Sequence, residues 1–271
     1  MQTTNNQTSK EFAEELMYGQ LKSLLLPSGY KVTIREQNGA DDDIISNPHL
    51  ADDLSNMDIF LSSLIIETDL PFAIQGKLSK ELVKKLLLRD KYFILFSSRI
   101  HSLGNIVKFQ YDWGGSIGNV NYEDDLNNYV WDYNEPMPSE NEEGYYPYRI
   151  LPYDVNNVYK KIEHVLKSGK TIRYSLMDGE SELYLLKLPL EQQTRNRELK
   201  ARKLEQKIDD KWQKVENFLY FTPKDMAELH ALVNSTDASF QGLTELENPQ
   251  TKESILYPII GVKDFFYPVE I

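Results

Sequence analysis

Apolar and polar residues alternate in two stretches that resemble each other. Within residues 28–39, Val32 and Ile34 alternate with polar neighbours, and the stretch runs from a Ser-Gly pair to a second glycine; residues 168–179 repeat this arrangement. A period of two predicts a strand with one buried face, and the Ser-Gly pair predicts the turn of a β-hairpin. Acidic residues follow the second glycine of each copy, where a helix would begin. The sequence therefore predicts an α+β fold made of two related modules.

Each module is predicted to contain a β-hairpin followed by packed helices and a further hairpin. In the first module, apolar residues recur at helical spacing in residues 57–66 and 79–103. Strand-like segments at 106–111 and 119–122 then flank a glycine-rich turn, which is the pattern of a second hairpin.

A change of composition separates the two predicted modules. Residues 135–153 crowd acids, prolines and tyrosines together, as expected of an extended linker. We place the first module at residues 1–134 and the second at 154–271. The linker could also be a contact surface, because exposed tyrosines offer rigid area at low entropic cost. Its candidate partner-binding residues are Tyr145, Tyr146 and Tyr148.

The second module is predicted to contain a long charged helix and an aromatic end. Residues 191–218 carry mixed charges with a sparse apolar stripe that includes Trp212 and could contact a neighbouring subunit. Thr222-Pro223 then marks the start of another helix. The aromatic residues near the end of the chain are too apolar to remain in water, so they are expected to dock on their own module or on a partner. They are Phe265, Phe266 and Tyr267.

Charge and hydropathy exclude two classes of partner. The 271 residues include 42 acidic and 30 basic ones, for a formal net charge of -12, which repels phosphate backbones and anionic lipids. No apolar run approaches the roughly 20 residues that cross a bilayer. The first residues also lack the basic and apolar regions of a signal peptide. We therefore expect no nucleic-acid partner, no membrane insertion and a cytoplasmic location.

Residues that would support catalysis or metal binding are scarce. The chain has no cysteine, and no two of its four histidines lie within one helical turn of each other. No nucleophile elbow or glycine-lysine phosphate loop is present. The glycines at 114–118 follow a predicted strand, but no helix pattern opens after them. The sequence predicts no catalytic residue, no cofactor and no metal ligand.

Three adjacent aspartates, Asp41, Asp42 and Asp43, have two interpretations. They lie where a helix begins, so they can cap free N–H groups and interact with the positive end of the helix dipole. They could also bind a cation in a carboxylate-based enzyme. We favour capping, because consecutive side chains on a helix point in different directions.

Several short segments of the chain form a recognisable set: a strand and an acidic helix start near the beginning, and a helix end and an aromatic close further on. The segments are Leu26-Pro27-Ser28-Gly29, Val32-Thr33-Ile34-Arg35, residues 39–48, Leu87-Leu88-Arg89-Asp90, residues 99–104, residues 225–232 with Asp237, and Phe265-Phe266-Tyr267-Pro268. Together they resemble the baseplate hub assembly proteins of contractile-tailed phages of the T-even type. Where such relatives often carry Cys-x-x-Cys pairs, this chain has Trp113-Gly114-Gly115-Ser116.

The resemblance implies a non-enzymatic phage tail protein that acts in assembly of the baseplate hub, or remains in it as a subunit. The implied partners are other hub proteins or the tape-measure protein, bound in the host cytoplasm during assembly. An assembly chaperone that is absent from the mature virion is the alternative within this class.

Overall fold

A computed structural model of the protein describes residues 19–52, 55–135, 149–237, 240, 242–261 and 265–267. The described chain combines helices with small antiparallel sheets, so the predicted α+β class is confirmed. Both hairpins predicted in the first half are present.

The first half begins with a three-stranded sheet and continues through helices to a separate hairpin. In the sheet, β1 pairs with β2, and β2 pairs with β3. The hairpin pairs β4 with β5. The elements are β1 (Leu21–Leu25), β2 (Lys31–Arg35), α1 (Gly39–Ser46), α2 (Pro48–Asp52), α3 (Asn56–Leu64), β3 (Ile65–Thr68), α4 (Lys80–Val83), α5 (Leu88–Leu103), β4 (Ile106–Asp112) and β5 (Asn119–Asp125).

The second half has a comparable order of elements, with one more strand in its sheet. A four-stranded sheet of antiparallel pairs is followed by a helix and a two-stranded hairpin. The elements are β6 (Ile162–Val165), β7 (Thr171–Tyr174), α6 (Gly179–Leu186), α7 (Arg197–Ala201), β8 (Glu205–Ile208), β9 (Lys211–Lys214), α8 (Pro223–Thr236), β10 (Leu243–Glu247) and β11 (Ser254–Pro258).

The prediction of one long charged helix over residues 191–218 is wrong. Only α7 is helical in its middle, and β8 and β9 follow as a hairpin beside β7. Asp209 and Asp210 both have positive φ, at 48° and 60°, as a two-residue hairpin turn of type I′ requires. The chain therefore folds back where the charge pattern predicted continuous helix. Many of the charged residues precede these strands, in or around α7, and Arg202 among them is buried.

One large hydrophobic core gathers residues from both ends of the chain. Phe60, Phe96 and Phe109 are fully buried in it, together with Leu246 from β10 and Phe265. A smaller core forms between the second sheet and α8. The predicted boundary at residue 154 therefore does not separate the cores, because the last hairpin and the aromatic end pack with the first half. Most of the predicted linker, residues 136–148, lies outside the described residues.

Equivalent turns open the two halves. Gly29 has φ 84° and donates its N–H to the carbonyl of Leu26 at 2.8 Å, while Gly169 has φ 86° and donates to Leu166 at 2.8 Å. These left-handed conformations favour glycine, which explains the two Ser-Gly pairs of the sequence.

The helices that follow the two hairpins also begin alike. Gly39 starts α1 after the cap residue Asn38, and Gly179 starts α6 after the cap residue Asp178. In both cases, the side chain of the cap residue accepts a hydrogen bond from a backbone N–H of the first turn.

Candidate functional site

The two halves meet along a short antiparallel backbone contact between residues 84–88 and 177–180. Leu88 donates its N–H to the carbonyl of Met177 at 2.9 Å, Gly179 donates to Leu86 at 3.1 Å, and Glu180 donates to Lys84 at 2.9 Å. A Cβ on Gly179 would lie 2.9 Å from the carbonyl oxygen of Lys84, a distance that real Cβ contacts do not reach. The second glycine of the repeat is therefore needed here for close backbone approach.

A cleft of about 490 Å³ opens beside this junction. Phe72 and Tyr159 contribute aromatic surface to it, and its lining includes four lysines. Two of these are neutralised, because Lys161 pairs with Glu205 at 2.9 Å and Lys203 pairs with Glu180 at 2.7 Å. The other two, Lys85 and Lys160, are exposed and form no ion pair with the described residues. The cleft is thus a positively charged exception in an acidic chain.

The turn of the first hairpin is held by a fully buried carboxylate on α5. Asp90 accepts hydrogen bonds from the N–H of Ser28 at 3.0 Å and from the hydroxyl of Tyr159 at 3.0 Å. Burial raises the pKa of Asp90 to about 6, although these hydrogen bonds and the nearby charge of Arg89 oppose the shift. Asp90 therefore connects the hairpin turn, the long helix and the segment that enters the second half.

A second polar cluster joins α3, α5 and α6. The Nζ of Lys91 lies 3.6 Å from Oδ1 of Asp58 and 2.7 Å from Oε2 of Glu182. The hydroxyl of Tyr92 donates to Oε1 of Glu182 at 2.5 Å. Burial raises the pKa of Asp58 and, with the charge of Glu182, that of Tyr92. All four groups are satisfied by one another, as expected of a structural contact between the halves.

The residues predicted to bind a partner lie in different places. Tyr145, Tyr146 and Tyr148 lie outside the described residues. Trp212 lies on β9, where the guanidinium of Arg173 stacks 4.3 Å from its ring centroid. The structure does not bring Trp212 together with the aromatic end of the chain in any described ring contact.

The aromatic end docks on the first half. Phe265 is fully buried, with its ring 5.3 Å from that of Phe96, and Phe266 lies 6.0 Å from Phe60. The Tyr267 hydroxyl donates to the backbone carbonyl of Asp42 at 3.2 Å. The aromatic end was expected to dock on its own module or on a partner. In the structure it docks on the same chain, but on the first half and not on the second.

Sequence reasoning missed a pair of exposed apolar residues before α8. Leu219 is 83% exposed and Tyr220 is 80% exposed, while the adjacent Phe221 is buried. Leu-Tyr-Phe directly before the helix start at Thr222 was the available signal. The helix predicted over residues 191–218 ended just before this segment, so its exposure was not predicted. An adjacent exposed pair of this size is typical of a contact surface.

The three aspartates at 41–43 do not act together. Asp41 is buried and bound in two hydrogen bonds by Arg35, at 2.7 and 2.8 Å, whereas Asp42 and Asp43 are exposed. Burial opposes the charge of Asp41, but hydrogen bonds from Arg35, Asn38 and Ser63 outweigh it, so its pKa lies below the usual range. Asp41 also completes a capping box with Asn38, which agrees with the capping interpretation.

No group of three or more histidine, aspartate or glutamate residues is placed to hold a metal ion in the described part of the chain. Within the same part, no helix is long and apolar enough to cross a membrane.

Comparison with known proteins gave no similarity to report: no protein-family model, no curated protein and no solved structure matches this chain.

Proposed function

We propose that this chain is a non-enzymatic bacteriophage tail protein that acts by protein–protein binding in assembly of the baseplate hub, or as one of its subunits. The proposal rests on the resemblance of its sequence segments to baseplate hub assembly proteins. Its partners would be other hub proteins or the tape-measure protein, met in the host cytoplasm.

One observation carries the proposal furthest: two distant segments that resemble the phage family are in contact. Arg99 is fully buried and donates from Nε to the carbonyl oxygen of Phe265 at 2.6 Å. It also donates from Nη1 to the carbonyl of Gly104 at 2.6 Å. The arginine at the helix end and the aromatic close, two of the segments that carry the resemblance, are thus parts of one buried constellation.

A binding role fits the surfaces of the molecule. The exposed pair Leu219 and Tyr220 and the lysine-lined cleft offer two surfaces of different chemistry. Neither contains a nucleophile–base pair among the described hydrogen bonds. A protein that presents apolar and cationic patches on a rigid frame is suited to recognising other proteins.

We also propose that the two halves are copies of one ancestral unit. The matching turns at Gly29 and Gly169 and the matching helix starts at Gly39 and Gly179 support this relation. The additional strand β9 and the packing of the last hairpin on the first half are then later changes.

Mass spectrometry of phage tails would test the assignment. A tagged chain expressed during infection should co-purify with baseplate hub or tape-measure proteins identified by their peptides. Detection in purified virions would make it a subunit, and detection only in assembly intermediates would make it a chaperone. If the chain is found with neither, the tail assignment is wrong.

A further inference from the structure

The two halves are joined through a surface of the first half, at residues 84–88. The second half has a counterpart of this surface, and no described residue occupies it. In the first half, residues 84–88 lead into α5 and receive residues 177–180. In the second half, residues 219–223 lead into α8 in the same way. Leu86 and Phe221 are both buried, and each donates its N–H to the residue three positions earlier, Val83 at 2.9 Å and Phe218 at 3.0 Å.

Contacts of α5 and α8 support this equivalence. Asp90 is the third residue of α5 and binds the N–H of Ser28, while Asp225 is the third residue of α8 and binds Nζ of Lys170 at 2.8 Å. Ser28 and Lys170 belong to the equivalent hairpin turns. The first turn of the long helix therefore holds the first hairpin in both halves.

The far ends of the two helices also match. Ser102 near the end of α5 accepts a hydrogen bond from the N–H of Gln37 at 2.8 Å. Asp237, which caps the end of α8, accepts one from the N–H of Met177 at 2.7 Å. Gln37 and Met177 occupy the same position, two residues before the glycine that starts the next helix. The two helices are thus in register with their own hairpins.

This correspondence places Leu219 and Tyr220 where the first half has Lys84 and Lys85. The carbonyl of Lys84 is used by the second half, whereas the carbonyls of Leu219 and Phe221 accept no hydrogen bond from a described residue. Two large apolar side chains, 83% and 80% exposed, flank these carbonyls. The second half therefore presents a docking surface of the same backbone form as the occupied one, but more apolar.

The matching edge lies in the first half, at Gly39. Its counterpart Gly179 lies against the carbonyl oxygen of Lys84, but a Cβ on Gly39 would meet no atom of the described residues within 4 Å. Gly39 does not have positive φ, and its N–H has no acceptor among the described residues. Glycine is unfavourable within a helix and is not required here by any described contact. A close contact with another molecule would explain it.

We propose that the edge Asn38-Gly39-Ala40 of one copy of this chain docks on Leu219-Tyr220-Phe221 of a second copy, as residues 177–180 dock on residues 84–88 within the chain. The association is head to tail, so it generates a ring or an extended row of copies. Pro223 stands where Leu88 donates its N–H, and the N–H of Ala40, the counterpart of Glu180, donates to Oδ1 of Asn38 at 3.0 Å. Of the three backbone hydrogen bonds, the one from Gly39 to Phe221 therefore remains available without rearrangement. Burial of Leu219 and Tyr220 compensates for this loss. The inference rests on the repeated unit and not on the tail assignment.

Sedimentation velocity of the full chain over a wide concentration range tests the proposal. The average mass should rise with concentration for the wild type. Gly39→Ala should weaken the association at least about tenfold, because an added Cβ would clash with the docked backbone. Its melting temperature at low concentration should not fall, since the Cβ meets no described residue of its own chain within 4 Å. Leu219→Lys/Tyr220→Lys should also be monomeric, whereas Leu190→Lys should associate like the wild type.

Mixing the two monomeric variants gives the most specific result. Gly39→Ala retains an intact docking surface, and Leu219→Lys/Tyr220→Lys retains an intact edge. A mixture should therefore form dimers and nothing larger. A wild type that stays monomeric at every concentration, a Gly39→Ala variant that associates normally, or a mixture that stays monomeric would each overturn the proposal. Because these outcomes concern self-association alone, they are independent of whether the chain binds tail proteins.

Discussion

Replacement of Gly179 by alanine tests the junction of the two halves. The new Cβ would lie 2.9 Å from the carbonyl oxygen and 3.1 Å from the Cα of Lys84. Both atoms belong to the backbone, so neither can move aside as the end of a flexible side chain would. Overpacking of this kind costs about 1–3 kcal/mol. Alanine is favoured over glycine in a helix by about 0.5–1 kcal/mol, which offsets part of the cost.

The expected result for Gly179→Ala is a net loss of about 1–2 kcal/mol in the free energy of unfolding, obtained from these two opposing contributions. For a chain of this size, the melting temperature should fall by roughly 2–8 °C. Urea denaturation followed by circular dichroism measures the first quantity, and a thermal scan measures the second.

The chain supplies its own control in Gly39, which starts α1 as Gly179 starts α6. Gly39→Ala introduces the same atom at the same helix position, where the added Cβ meets no described residue within 4 Å. At low protein concentration, this variant should be as stable as the wild type or slightly more stable. Equal effects of the two substitutions would refute the reasoning, because they would show that the contact with Lys84 does not limit the size of residue 179.

Three further perturbations give separate expectations. Phe265→Ala should cost about 3–5 kcal/mol in urea denaturation, since the ring is fully buried, whereas the exposed Leu190→Ala should stay within about 0.5 kcal/mol. Arg202→Met should cost about 3–5 kcal/mol because it leaves the buried Asp237 carboxylate unpaired, and adding Asp237→Asn should recover part of the loss; no recovery would contradict the pairing. The raised pKa of Asp90 means that the native state binds a proton more tightly than the unfolded state, so this residue's contribution is full below pH 3.8 and is lost as the pH rises to about 6. Asp90→Asn lacks this loss, so its stability relative to the wild type should increase by about 2 kcal/mol from pH 4 to 7, and a constant difference would refute the assigned shift.

Local signals predicted the hairpins well. A hairpin depends on signals within a few residues, namely the alternation around Val32 and Ile34 and the turn glycines at 29 and 169. These signals are visible in the sequence itself. The cap role of Asp41 was also readable from the sequence. Its buried pair with Arg35 was not, because charged residues at that spacing are more often solvated.

Contacts between distant segments could not be predicted from the sequence. The pattern over residues 191–218 suits a solvated helix, and only the pairing of β8 with β7 selects strands there. The lysines of the cleft come from separate segments, so no window of sequence shows them together. A role for the exposed Leu219 and Tyr220 could be inferred only by comparison with Lys84 and Lys85, their counterparts in the first half, where the backbone is in contact with the second half.

The return of the chain to the first half explains why the two halves hold together. Tyr257 of β11 stacks 6.3 Å from Phe109 of β4, and the hydroxyl of Tyr122 on β5 donates to the carbonyl of Glu247 at 2.8 Å. The first half therefore depends on residues from the end of the chain for part of its core, while the second half is anchored at Met177–Glu180 and again through its last hairpin. Because the first half does not enclose its core without the last hairpin and the aromatic end, we infer that both halves unfold in one transition. Docking energy gained at either surface would then stabilise the whole chain and not one half of it.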